Sequence, residues 1–231
     1  MGKKIHLDLK KNISKIIFGI IAIVLLVCAA RILIWEHYYY EEKEGSEREA
    51  SVSSPVEDED VDETDVSDAD KTEYNVAGDR PRYLSISKLG IKNSRVLPVG
   101  LTNSRQLATP NNIFDVGWYT ESAKPGQDGA MVIDGHNGGP TKSGVFKNLP
   151  SLAEGDIIEI ERGDGTTFKY RVVENNEYSL DEANENMNKM FSVPDPKKNK
   201  QSVSLITCSG EWSDIQKTYL SRQFVRAVLT N

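Results

Sequence analysis

Two patterns of apolar and polar positions divide the chain. Residues 16–30 are apolar or small throughout, and after Arg31 the apolar run resumes through Ile32 to Trp35. From Pro81 onward apolar residues recur with period two, in short stretches separated by Gly, Pro, Asn and Asp. "YLSISKLGI" (83–91), "SRVLPVG" (94–100), "GAMVIDG" (129–135), "DIIEIER" (156–162), "FKYRVVEN" (168–175), "VSLITC" (203–208) and "RQFVRAVL" (222–229) read as strands. About eight short strands in roughly 150 residues predict a small β-barrel or a β-sandwich. Helical signals are few. "NSRQLAT" (103–109) and "VFKNLPSL" (145–152) predict single turns, and 181–193, "DEANENMNKMFSV", predicts a short helix in a long connection.

Charge adds a second division. Lys3, Lys4, Lys10, Lys11 and Lys15 precede the apolar run. Residues 16–35 have the length needed to cross hydrocarbon, roughly 20 residues. Arg31 lies near one end, within snorkelling reach of the interface, and Trp35, Tyr38, Tyr39 and Tyr40 resemble an interfacial belt. The stretch is long for a cleaved signal peptide, and no small-x-small site followed by a neutral segment accompanies it. The basic segment 1–15 predicts a cytoplasmic N-terminus, which makes the chain a single-pass type II membrane protein with its C-terminal domain extracellular. Residues 41–80 carry 16 acidic and 4 basic side chains with almost no large apolar ones. Such composition predicts that 36–80 is an extended, disordered acidic linker. Once anchor and linker are set aside, the net charge of −7 falls to near neutrality for 81–231. Nothing there suggests nucleic-acid binding.

Candidate chemistry follows from scarcity. Cys28 lies in the apolar run, so Cys208 is the only cysteine of the outer domain and has no intramolecular disulfide partner there. The chain has three histidines; His6 is predicted cytoplasmic and His37 juxtamembrane, which leaves His136, in the Gly-rich "VIDGHNGG", within the folded region. One Cys and one His make a Cys/His metal site a poor reading. A thiolate is a strong nucleophile, an imidazolium nearby favours it, and acyl transfer needs a donor for the oxyanion. Arg222 and Arg226 both follow Cys208. If 203–208 and 222–229 form an antiparallel hairpin, Arg222 lies near Cys208 and Arg226 falls roughly 13 Å further along.

These motifs resemble the sortases, membrane-anchored cysteine transpeptidases. "LITC" followed by "RQFVRA", "AMVIDGHNGG", "GWYTESAKPGQDG", "ISKLGI" and "FKNLPSLAEGDIIEI" carry the resemblance, which covers about residues 82–229. It implies an all-β domain with a closed eight-stranded barrel. It implies Cys208 as nucleophile on a carbonyl of a C-terminal LPxTG-like sorting motif, His136 as acid and then base, and Arg222 as oxyanion donor. It also implies Thr207 and Ser204 as substrate-binding positions, Ser204 standing where the family often has Thr. The implied partners are exported proteins bearing that motif and an amine acceptor from a cell-wall precursor or a pilin. No diffusible cofactor is implied. Some relatives bind Ca²⁺ near the substrate loop, but Glu177, Glu182 and Glu185 read as a solvated acidic loop. Without an Asp-Pro-aromatic lid motif or large helical insertions, the resemblance points to a small class A, D, E or F enzyme. A thiol hydrolase and a non-catalytic peptide-binding module are the competing readings.

Overall fold

The computed structural model describes residues 31, 61–102, 106–216 and 218–230 of the protein. Eight strands close into a barrel: β1 (Pro81–Ile86), β2 (Ile91–Val99), β3 (Val116–Tyr119), β4 (Gly129–Gly135), β5 (Ile157–Arg162), β6 (Thr167–Ser179), β7 (Gln201–Ser213) and β8 (Thr218–Leu229). Their order around the barrel is β1-β2-β3-β4-β7-β8-β6-β5. The β2–β3 and β4–β7 pairs are parallel and the others antiparallel. Closure removes the free edges that an open sheet would leave. All seven stretches with period-two patterning contribute to strands.

Two departures from the sequence reading have local causes. "YLSISKLGI" is two strands rather than one: Ser87–Leu89 forms a 3-10 turn and Gly90 takes φ 72°, so the chain doubles back into β2. That left-handed conformation suits glycine, which lacks a Cβ. The strand β3 escapes a period-two reading because three of its four residues are buried, on both faces. A third difference concerns β7, which runs past the predicted stretch 203–208 to Ser213. Pairing with β8 slips between Ser209 and Trp212, and Gly210 there has φ 75°. A bulge bends the strand without ending it.

The barrel interior is filled by the inward row of each strand, including Leu84, Met131, Ile133, Leu205 and Val225, with Phe146 and Leu149 entering from the β4–β5 connection. A second cluster lies outside the barrel wall. There Ile206 and Phe224, on the outer faces of β7 and β8, pack against Ala183 and Met190 of helix α2 (Leu180–Met190). Burial on both faces accounts for the nearly unbroken apolar runs of these two strands. Helix α2 begins with a capping box in which Ser179 and Glu182 satisfy each other's backbone N–H groups.

Part of the stretch that composition assigns to a disordered linker is folded. Residues 61–80 lie against the barrel and include helix α1 (Asp68–Glu73), capped by Ser67. Tyr74 donates its hydroxyl to the Val96 carbonyl at 2.6 Å, and the Tyr74 carbonyl accepts from Arg82 Nε at 2.8 Å. Mean charge conceals such bonds, because each carboxylate or ring answers to its own neighbours. The predicted cytoplasmic segment and anchor at 1–35 and the linker to residue 60 fall, apart from residue 31, outside the described residues. Among the described residues no helix is long and apolar enough to cross a membrane.

Candidate active site

Strand register brings three chemically distinct side chains into one row. Cys208 on β7 pairs directly with Arg222 on β8. On the other side of β7 the parallel pairing with β4 runs from Gly129↔Gln201 to Asp134↔Ile206. The bond from Thr207 Oγ1 to the Gly135 carbonyl, 2.7 Å, continues the same 72-residue offset. One residue further, that offset sets His136 level with Cys208. Neighbouring strands lie about 4.8 Å apart, so Cys208 and Arg222 are adjacent on β7 and β8, and His136 follows directly on the end of β4 at the extrapolated level of Cys208. Alternation gives Cys208 the outer face that Ile206 shares, away from the barrel interior.

Local bonding holds each member. His136 Nε2 lies 2.6 Å from the Pro110 carbonyl. A carbonyl only accepts, so Nε2 carries the hydrogen and Nδ1 is the nitrogen left to take and release a proton. The His136 carbonyl accepts from Phe146 N at 2.9 Å, and Gly144 packs so closely on it that a Cβ has no room. Arg222 Nη1 donates to the Tyr219 and Ser221 carbonyls, both at 2.9 Å, and Nη2 to Thr218 Oγ1 at 3.2 Å. Two further N–H groups of the guanidinium, at Nε and Nη2, remain as donors with no hydrogen bond among the described residues.

The electrostatics favour neutral groups at rest. Burial pushes the Cys208 thiol above its ordinary value; the positive charge of Arg222 pulls it back, and Asp134 pushes it up. Desolvation lowers the His136 imidazole, opposed by its bond to Pro110. Near neutrality the resting pair is therefore thiol and imidazole, with thiolate and imidazolium a minority form.

A thiol, an imidazole and a guanidinium set at neighbouring positions are the residue types that an acyl-transfer site would need. The Sortase domain family matches residues 84–230, well over half of the chain. The chain belongs to the sortase family. It is a sortase-family transpeptidase domain on a closed, mixed eight-stranded barrel. Among solved structures this sortase is similar to a Clostridium perfringens sortase D5 transpeptidase, at 22% identity and TM-score 0.46, over 71% of this chain and 89% of that one. It is similar to the SrtA sortase from Actinomyces oris, at 20% identity and TM-score 0.48, over 68% and 83%. It is also similar to sortase C1 of GBS pilus island 1, at 18% identity and TM-score 0.47, over 68% and 67%. No curated protein matches the chain.

The remaining sequence-named positions of the sortase separate by face. Thr207 is buried, and its hydroxyl ties β7 to β4 through the Gly135 carbonyl. Ser204 lies on the Cys208 face but four residues away, fully buried, opposite Arg226, and its Oγ has no hydrogen-bond partner among the described residues. Arg226 is engaged elsewhere: it pairs with Glu174 Oε2 at 2.7 Å and donates to the Ser192 carbonyl at 2.9 Å. Glu182 serves as the helix cap described above.

Three residues were not singled out from the sequence. Asp134 lies two positions before His136, and alternation gives it the same face. Its residue keeps some exposed surface, yet the carboxyl is desolvated and pushed up to about 7, against the pull of Thr109, the Gly135 N–H and Arg222. Thr109 donates its hydroxyl to Asp134, and Pro110 receives the His136 ring. The period-two count in "VIDGH" was a usable signal for Asp134. Nothing in "TP" announces the other two, because their roles depend on a contact 25 or 26 residues away.

Proposed function

We propose that this sortase cleaves a C-terminal LPxTG-like sorting motif and transfers the new carboxyl end to an amine on the cell surface. The observation that carries this reading is the direct pairing of Cys208 with Arg222 on β7 and β8, with His136 following the end of β4, whose register with β7 runs to Asp134↔Ile206. The Cys208 thiolate attacks a backbone carbonyl carbon of the motif, and Arg222 donates to the oxyanion. As the C–N bond breaks, the His136 imidazolium gives its proton to the leaving amine. The acyl group is then held as a thioester on Cys208. An incoming amine attacks it, neutral His136 accepts the amine's proton, and the thiolate departs with the new amide formed. Residues 16–35 anchor the chain and leave the catalytic domain extracellular, where exported substrates pass.

Incubation with a panel of sorting-motif peptides should leave an acyl adduct on Cys208 by mass spectrometry, and added amines should convert it to ligated product. Product formed only with water would make the enzyme a thiol hydrolase. Absence of an adduct across the panel would remove the reading, and a function unaffected by Cys208→Ala would leave a binding module.

A further inference from the structure

We propose that residues 62–65 form a strap that positions His136, with Glu63 as its principal positioning residue; this rests on the reading of His136 as the acid and base of transpeptidation. The strap is bonded to both pieces of chain that hold the histidine. Its first contact is with residues 111–113: Asp62 N donates to the Asn111 carbonyl and Ile113 N to the Asp62 carbonyl, both at 3.0 Å. Asn112 Nδ2 adds bonds to Asp62 Oδ2 at 3.0 Å and to the Thr64 carbonyl at 2.8 Å. The residues just before these face the reaction row. Thr109 bonds Asp134 and Pro110 receives His136 Nε2. One short segment is thus tied to the row on one side and to the strap on the other.

The second contact is with the loop that follows His136. Glu63 Oε1 accepts the N–H groups of Thr141 and Lys142, each at 2.8 Å, and Glu63 Oε2 accepts the Thr141 hydroxyl. Lys142 Nζ donates to the Glu63 carbonyl and to Asp65 Oδ1, both at 2.9 Å. Gly139 packs against the Glu63 carboxylate, which an added Cβ would have to displace. The loop end is in turn bonded back to the histidine: Gly144 N donates to the Asn137 carbonyl and Phe146 N to that of His136, both at 2.9 Å. Val145 N closes the circuit on the Ile113 carbonyl at 2.8 Å. Three hydrogen bonds to one carboxylate lower the Glu63 carboxyl from its ordinary value. The carboxylate acceptor is therefore present near neutrality.

A proton carrier has to be held within a fraction of an ångström of its reaction geometry, and loss of that hold costs about ten- to a hundredfold in rate. The test compares full-length wild type, Glu63→Ala, Glu63→Gln and Thr141→Val in mild detergent. It reads steady-state transpeptidation, thermal melting and the His136 titration by NMR of ¹³C-labelled histidine. Glu63→Ala should lower kcat about tenfold with KM nearly unchanged. Its His136 midpoint should move upward towards the ordinary value, because a loosened loop admits water to a ring now held down by desolvation. Glu63→Gln keeps a carbonyl acceptor and should recover most of the rate, and Thr141→Val should move both readouts in the same direction by less. If Glu63→Ala leaves kcat and the His136 midpoint at wild-type values, whatever its melting temperature, the strap is structural only and the proposal is overturned. The NMR arm needs no substrate, so a wild type that forms no acyl adduct would remove the proposed function and still leave the strap tested.

Discussion

Cys208 and Arg222 are register partners on antiparallel β7 and β8, and the arginine charge is what opposes burial at the thiol. Replacement by alanine removes that charge and, under the proposed mechanism, the oxyanion donor. We expect Arg222→Ala to lower kcat/KM by about two to three orders of magnitude. Arg222→Lys should retain an intermediate rate, since lysine keeps the charge but not the planar fork. Steady-state kinetics check the rate, and the pH dependence of iodoacetamide alkylation checks an upward move of the thiol.

The two neutralising shifts set the pH profile. The imidazole lies below its ordinary 6.5 and the thiol above its ordinary 9.0. Between these limits the thiolate–imidazolium form is a constant minor share of the singly protonated pair. Activity should therefore rise through a limb below 6.5, hold, and fall through a limb above 9.0. In Arg222→Ala the alkaline limb should shift upward. A pH series of kcat/KM on both proteins measures this, and a wild-type acidic limb well above 6.5 would contradict the assignment of that limb to His136.

Asp134 links stability to pH with the opposite sign from most carboxylates. Its unfolded value is 3.8 and its folded value about 7, so the native state binds the proton more tightly. The stability this contributes is complete below 3.8 and lost as the pH rises towards 7. Asp134→Asn should gain melting temperature over wild type from about pH 4 to about pH 8, and the gain should grow along that range. It should also lower the Cys208 thiol, because an ionised neighbour no longer opposes the thiolate. Melting curves and alkylation profiles read the two effects separately.

Gly144 lies against the His136 carbonyl without space for a side chain. Gly144→Ala should cost about 1–3 kcal/mol of stability through overpacking. Because the displaced atoms belong to the histidine's own backbone, the rate should fall further than that loss explains at temperatures where the variant is fully folded. Denaturant unfolding and kcat measured on one preparation make the comparison.

Much of the barrel was legible because half-buried strands write their two faces into the sequence. Residues 157–162 and 168–172 alternate as they pair. The short β3 was not, because a strand buried on both faces loses its alternation, and the β1–β2 hairpin was hidden by a 3-10 turn that keeps apolar residues in step. Helix α1 and the docked residues 61–80 defeated a composition argument for a different reason. An acidic stretch predicts an extended chain on average, and the average carries no knowledge of the N–H groups that Glu63 meets.

At the site, scarcity did most of the work. With one thiol and one histidine in the outer domain, the sequence by itself determined which residue types were available for the chemistry, and spacing favoured Arg222 over Arg226. Only the tertiary structure decided how they stand. The parallel β4–β7 pairing joins positions 72 residues apart, and no local pattern encodes the register of a crossover that long. It likewise brought Thr109 and Pro110 to the row, enclosed the Asp134 carboxyl, and laid residues 62–65 across the histidine loop. Residue identity is local information, whereas burial and long-range contact exist only once the chain has closed on itself.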